Sequence, residues 1–210
     1  GAIALKVGDL EAMADAFEKA GALDPDGARV GVALGDALAD DKRYAEAVSY
    51  YARALRNTPA DAQVLCKIGS VLELFNRKDE AEAKYREALR LDTRCAPAHH
   101  RLGNLLANSS RFDEAAQHYR EAVSLDPNDV TSRANLAKVL AFQGRTGEAM
   151  GLLEEAVRLA PDSVDLRLGM AHLLAQSGRK AEAEAALAKV LEIVPGNADA
   201  LQLLRALRGG

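Results

Sequence analysis

The chain has 210 residues, of which 49% are hydrophobic, 28% charged and only 4% aromatic, with no tryptophan. That balance is globular rather than disordered, and much of the apolar fraction is alanine and leucine, which are strong helix formers. The net charge of −4 offers no basic footprint for nucleic acid or an anionic membrane surface, no apolar run approaches the ~20 residues of a bilayer span, and the N-terminus lacks a secretory pattern. The expected partners therefore include no nucleic acid and no membrane, and a cytoplasmic setting is expected.

Residues 1–27 supply Gly8, Phe17, Ala20 and Pro25 but too few residues for a full first helix, so they are read as a partial repeat in which the chain starts. Ile3, Leu5 and Leu10 in this segment are expected to leave a poorly covered apolar face, which predicts end-to-end self-association. Pro25 and Pro59 are 34 residues apart, Pro127, Pro161 and Pro195 keep the same step, and Thr93 fills the missing slot. Full repeats are read at 28–61, 62–95, 96–129, 130–163 and 164–197. Within each, apolar residues recur at helical spacing, as at Leu65, Ile68, Gly69 and Leu72, and again after a break at Ala81, Tyr85 and Ala88, which predicts a helical hairpin.

The breaks carry turn chemistry such as "ADDKR", "NSSR", "FQGR" and "QSGR", and each second helix stops just before a proline that cannot continue it. Asp61, Asp129 and Asn197 stand where a side-chain oxygen caps the next helix. Residues 198–208 read as a closing helix with a polar outer face, Leu201 and Leu204 facing the last repeat and Arg205 and Arg208 facing water.

In the stretch "HHRLGNLLAN", residues 99–108, a turn of ~100° per residue puts His99, Leu102, Gly103 and Leu106 on one face and His100, Arg101, Asn104 and Asn108 roughly opposite. The first face is for packing, with Gly103 permitting close helix approach. The second has no apolar reason to be buried. Similar positions elsewhere are Arg29, Asp36 and Asp40; Cys66, Lys67, Ser70 and Glu73; Asn135, Lys138 and Phe142; and Asp165, Leu168, His172 and Gln176. Lys67, Arg101 and Lys138 fall centrally in this series, Asp36 and Asp40 at one end and Asp165 at the other. Such a pattern favours a protein or peptide carrying acidic or carboxylate groups, which lysine and arginine meet through charge-assisted bonds.

Catalytic residues, a metal site and a cofactor are not expected. His99 and His100 point to different sides of a helix, and His118 and His172 have no ligand neighbour at suitable spacing. Cys66 and Cys95 fit neither a metal nor a CxxC spacing and are read as free thiols. Gly144 and Gly178 are turn glycines. Glu46, Glu80, Glu114, Glu148 and Glu182 stand at the starts of second helices, where acids suit the helix dipole, and are read as scaffold.

Residues 96–129 carry His99, Leu102, Gly103, Leu106, Ala115, Tyr119, Ala122 and Pro127, and this pattern, repeated along nearly the whole chain, resembles the tetratricopeptide repeat. Ala137 and Ala171 depart from it by replacing the glycine, as Val190 does by replacing a late alanine. The resemblance implies an all-α, right-handed superhelical solenoid of antiparallel helix pairs whose first helices line a concave groove. It implies a non-catalytic interaction scaffold holding an extended peptide or a partner helix there, with Lys67, His100, Arg101, Asn104, Asn108, Asn135, Lys138 and His172 as the candidate binding residues. Co-chaperone-like arrays clamp a C-terminal carboxylate, but Asp165 and Gly169 stand where that clamp needs lysine and arginine. Asn104, Asn108 and Asn135 resemble the asparagine ladder of arrays attached to protein O-glycosyltransferases, which implies as an alternative the substrate-recruiting arm of a larger enzyme. An amide both donates and accepts, so it can pair with any peptide backbone.

Overall fold

The computed structural model describes residues 26–58 and 61–209. Ile3, Leu5 and Leu10, and with them the face expected to self-associate, lie outside the described residues. Every regular element described is an α-helix: α1 (Asp26–Asp40), α2 (Tyr44–Asn57), α3 (Ala62–Leu74), α4 (Lys78–Leu91), α5 (Ala96–Asn108), α6 (Phe112–Leu125), α7 (Val130–Phe142), α8 (Thr146–Leu159), α9 (Val164–Gln176), α10 (Lys180–Ile193) and α11 (Ala198–Gly209). None of them is long and apolar enough to cross a membrane. The chain divides into two compact units, residues 1–105 and 106–210, the division falling inside α5. In the N-terminal unit α1 packs on α2, α2 on α3 and α3 on α4. In the C-terminal unit helices from α6 to α11 pack successively, and α9 also meets α7 and α11.

Local chemistry starts and stops these helices at the 34-residue step. The Asp61 carboxylate accepts from the amides of Gln63 and Val64, that of Asp129 from Ser132, the Ser163 hydroxyl from Leu166 and the Asn197 amide oxygen from Ala200. Each such cap contributes about 1 kcal/mol. The second helices begin differently. Arg43, Arg77, Arg111, Arg145 and Arg179 stand just before them, and each fork donates two bonds to the glutamate three residues on, Glu46, Glu80, Glu114, Glu148 and Glu182, at 2.5–2.7 Å. Arginine is what holds these glutamates at the helix starts. Its bond draws the carboxyls of Glu46, Glu148 and Glu182 below their ordinary value.

Between paired helices one turn residue adopts the left-handed conformation: Lys42, Asn76, Ser110, Gly144 and Gly178, with φ between 58° and 76°. Only the last two are glycine, which occupies that region without steric cost.

Tyrosine and leucine build the interior. In the N-terminal unit Tyr51 and Tyr85 are buried on α2 and α4, and each lies against a glycine of the preceding helix. A Cβ at Gly35 would come 2.3 Å from the Tyr51 ring, and one at Gly69 would come 2.6 Å from the Tyr85 ring. In the C-terminal unit Tyr119 on α6 keeps the tyrosine slot, but on α8 and α10 that slot holds Leu153 and Leu187, the glycine slot of α7 and α9 holds Ala137 and Ala171, and all five are buried. The closing helix packs through Ala200, Leu203, Leu204 and Leu207 onto Ala171, Leu187 and Val190. Leu204 thus faces the preceding pair as expected, while Leu201 is displaced from that role because burial of Ala200 sets the i, i+3, i+4, i+7 stripe. Arg205 and Arg208 are exposed.

Candidate functional site

In the N-terminal unit the exposed face of the odd-numbered helices α1 and α3 is largely satisfied by its own side chains. Lys67 on α3 donates to both carboxylate oxygens of Asp36 on α1, at 2.6 and 2.7 Å. The Tyr51 hydroxyl donates to the same carboxylate at 2.7 Å. Burial first, and then the bond to Asp36, push the Tyr51 phenol above its ordinary range. One repeat on, the Tyr85 hydroxyl reaches Glu73 at 3.0 Å and Ser70 at 3.3 Å. These bonds correct the expected charge pattern. Lys67 is not a central cation apart from a terminal Asp36, because the two residues, 31 apart, stand on the first helices of consecutive pairs and bond directly. Cys66, placed by its spacing on the same face, is instead buried beside Cys95.

His100 and Asn104 bond each other one turn apart on α5, ring Nε2 to amide Nδ2 at 3.0 Å. Arg101 between them is exposed, with no carboxylate at ion-pair distance among the described residues. His99 packs inward and its Nε2 lies 3.1 Å from the carbonyl oxygen of Thr93.

The C-terminal unit presents a different face. A groove of about 710 Å³ runs between α7 and α9, and three of the candidates, Asn135, Lys138 and His172, line it together. Its floor is Ala137, Leu153, Leu166 and Leu173, and its rim includes Asp165, Gln176 and Phe142. A second cavity of about 430 Å³ between α9 and α11 shares Gly169 and His172 with the first, so the depression continues onto the closing helix. Volumes in this range suit a ligand segment of several heavy atoms. Gly169 leaves the middle open: it is exposed, and a Cβ there would meet only Leu153, at 3.9 Å. Lys138 is exposed and has no ion-pair partner among the described residues. Phe142 is 69% exposed and stacks on Phe112 with centroids 5.6 Å apart. Asn108, at the end of α5, is exposed and is not among the residues lining this groove.

Sequence reasoning missed the groove's cause. Gly35, Gly69 and Gly103 are each followed sixteen residues later by Tyr51, Tyr85 and Tyr119, whereas Ala137 and Ala171 are followed by Leu153 and Leu187. Leucine has no hydroxyl to extend toward the first helix, and Leu153 lines the floor of the C-terminal groove. The pairing is visible in the sequence once the two slots are compared. No group of three or more His, Cys, Asp or Glu side chains among the described residues is placed to hold a metal ion.

Tetratricopeptide repeat family models match residues 1–62, 62–95, 96–129 and 143–207. No curated protein sequence matches the chain. Among solved structures, it is similar to YrrB, described as a tetratricopeptide protein with an unusual peptide-binding site, at 22% identity over 92% of this chain and 97% of that one, with a TM-score of 0.73. It is also similar to PilF of Pseudomonas aeruginosa, at 25% identity over 88% and 85% of the two chains and a TM-score of 0.78. MamA from Desulfovibrio magneticus aligns at 17% identity over 81% and 97%, with a TM-score of 0.72. At 17% and 22% identity the likeness is one of fold.

Proposed function

The chain belongs to the tetratricopeptide repeat family, and from that premise we propose that it is a non-catalytic interaction scaffold holding an extended, carboxylate-bearing peptide along α7, α9 and α11. In this reading residues 28–61, 62–95, 96–129, 130–163 and 164–197 act as full repeats and 198–208 as the closing helix. The observation that carries it is the groove in which Asn135, Lys138 and His172 converge over an apolar floor. The three polar side chains fix a peptide's backbone and an acidic side chain, while Gly169 leaves room for an apolar one. Lys138, lacking an internal carboxylate, is the cation available for charge-assisted bonding. In the N-terminal unit Arg101 is the corresponding exposed cation, flanked by the His100–Asn104 pair, whereas Lys67 is already engaged by Asp36. YrrB, a protein of the same fold, is described as binding a peptide, which agrees with this reading.

The test is a peptide array followed by fluorescence anisotropy on the selected sequences. Lys138→Glu is expected to weaken binding about tenfold or more, a loss of ~1.4 kcal/mol, and to shift selection away from acidic peptides. Gly169→Leu is expected to fill the groove and abolish binding without loss of stability, because an exposed helical glycine is replaced by a better helix former. Unchanged affinity of both variants for every selected peptide would refute the groove.

A further inference from the structure

The chain has two cysteines, and the N-terminal unit brings their sulfurs to 3.9 Å across 29 residues of sequence. Both are buried, Cys66 at 5% and Cys95 at 4% exposure, and both are free thiols. Cys66 lies in the second turn of α3. Cys95 immediately precedes α5, in the slot held elsewhere by Asp61, Asp129, Ser163 and Asn197, each of which caps its helix through an oxygen. A thiol is a weak acceptor, and the sulfur of Cys95 is turned instead toward Cys66. Two independent departures therefore coincide: a capping slot without an oxygen, and a second thiol at the point that slot faces.

We propose that Cys66 and Cys95 form a dithiol modification site, which a small peroxide converts to an intramolecular disulfide tying α3 to the start of α5. One sulfur, as thiolate, attacks a peroxide oxygen; the O–O bond breaks, hydroxide leaves and a sulfenic acid forms. The second sulfur attacks the sulfenic sulfur, the S–O bond breaks and water leaves. Two thiols lose two electrons and two protons, and one hydrogen peroxide becomes two waters. Closing the gap to the ~2.05 Å of a disulfide starts from rotation about the two Cα–Cβ bonds, beside a turn in which Asp92, Thr93 and Arg94 are exposed. Burial and the adjacent Cys95 push the Cys66 thiol up; the Arg101 guanidinium opposes this and Asp61 adds to it. Attack by Cys66 therefore quickens toward alkali as its thiolate fraction grows.

The experiment treats the folded wild-type chain, Cys66→Ser and Cys95→Ser with hydrogen peroxide and follows intact mass, free thiols and oligomeric state. The wild type is expected to lose both thiols together, to become lighter by two hydrogen atoms, to remain unlinked to other copies, and to yield one peptide pair joining Cys66 to Cys95. Reductant should restore the original mass, and the oxidised form should unfold at a higher temperature than the reduced one. Each serine variant should gain oxygen instead. Oxygen added to both wild-type thiols independently, disulfide-linked dimers, or reaction only after denaturation would each overturn the proposal.

Discussion

The α3–α4 and α9–α10 pairs share a period, a turn and an arginine–glutamate clamp, yet they solve the same contact in two ways. In α3–α4 a tyrosine lies on a glycine and sends its hydroxyl through to the polar face, where Ser70 and Glu73 receive it. In α9–α10 a leucine lies beside an alanine, both fully buried, and nothing crosses to the other side. The sizes trade off, ring against no side chain and isobutyl against methyl, and Tyr85, Ala171 and Leu187 are all fully buried. The functional consequence differs. Where tyrosine reaches through, the outer face is occupied by the chain's own bonds. Leu153, beneath α7 and α9, instead lines the floor of the larger groove of about 710 Å³, against about 370 Å³ for the cavity beside Asp36 on α1.

The largest effect should come from crossing the two solutions. Gly69→Ala forces a methyl to within 2.6 Å of Tyr85, a fully buried ring anchored through its hydroxyl to Glu73. Overpacking of this kind costs about 1–3 kcal/mol. The opposite change, Ala171→Gly, removes one methyl and is expected to cost only ~1 kcal/mol, mostly in helix propensity. Chemical denaturation of the two variants should rank them in that order, and equal losses would mean that the tyrosine ring can move aside.

A smaller and more specific effect is expected from transplanting one solution into the other unit. Leu153→Tyr alone should destabilise, since Ala137 occupies the glycine slot; adding Ala137→Gly should recover much of the loss. The coupling between the two substitutions is expected to be favourable by roughly 1 kcal/mol, within the range measured for residues in contact. The double variant should also bind selected peptides more weakly, because the new hydroxyl enters the groove. Additive stabilities would show that the glycine–tyrosine and alanine–leucine pairs are independent choices.

Much of the architecture was legible because helices and turns answer to local rules. The 34-residue step, the hairpin pattern and the oxygen caps at Asp61, Asp129 and Asn197 all follow from residues near one another in sequence, and family and fold were readable from them. The candidate face was half legible. Helical periodicity places Asn135, Lys138 and His172 on exposed sides, and they do share a groove. Periodicity is silent about pairing between neighbouring helices, so it separated Lys67 from Asp36, which are in fact ion-paired. It also put Cys66 on the open face, where a small residue beside the next helix start is in fact covered. The clamps formed by Arg43, Arg77, Arg111, Arg145 and Arg179 escaped notice for another reason: turn residues were read for their backbone preferences and not for the reach of their side chains.

The mildest perturbation that separates the two solutions is alkali, because tyrosine titrates and leucine does not. Burial pushes the Tyr85 phenol above its ordinary value of 10.0, and the charge of Glu73 adds to the rise. A group whose folded pKa is raised contributes stability that is complete below its unfolded pKa and is lost as pH climbs toward the folded value. Stability held by Tyr85 should therefore be constant up to about pH 10 and decline above it, since the unfolded phenol releases its proton first. Tyr85 is a cleaner probe than Tyr51, whose partner Asp36 is shared with Lys67, so that a change at Tyr51 also alters an ion pair. At pH 8 Tyr85→Phe should cost about 0.5–1.5 kcal/mol for the lost hydrogen bonds. Above pH 10 the denaturation midpoint of the wild type should fall faster than that of Tyr85→Phe, closing the gap between them, and tyrosinate absorbance from this residue should develop only with unfolding. Two curves that stay parallel through this range would mean that the phenol ionises freely in the folded chain, and that the bond through to Glu73 does not distinguish α3–α4 from α9–α10.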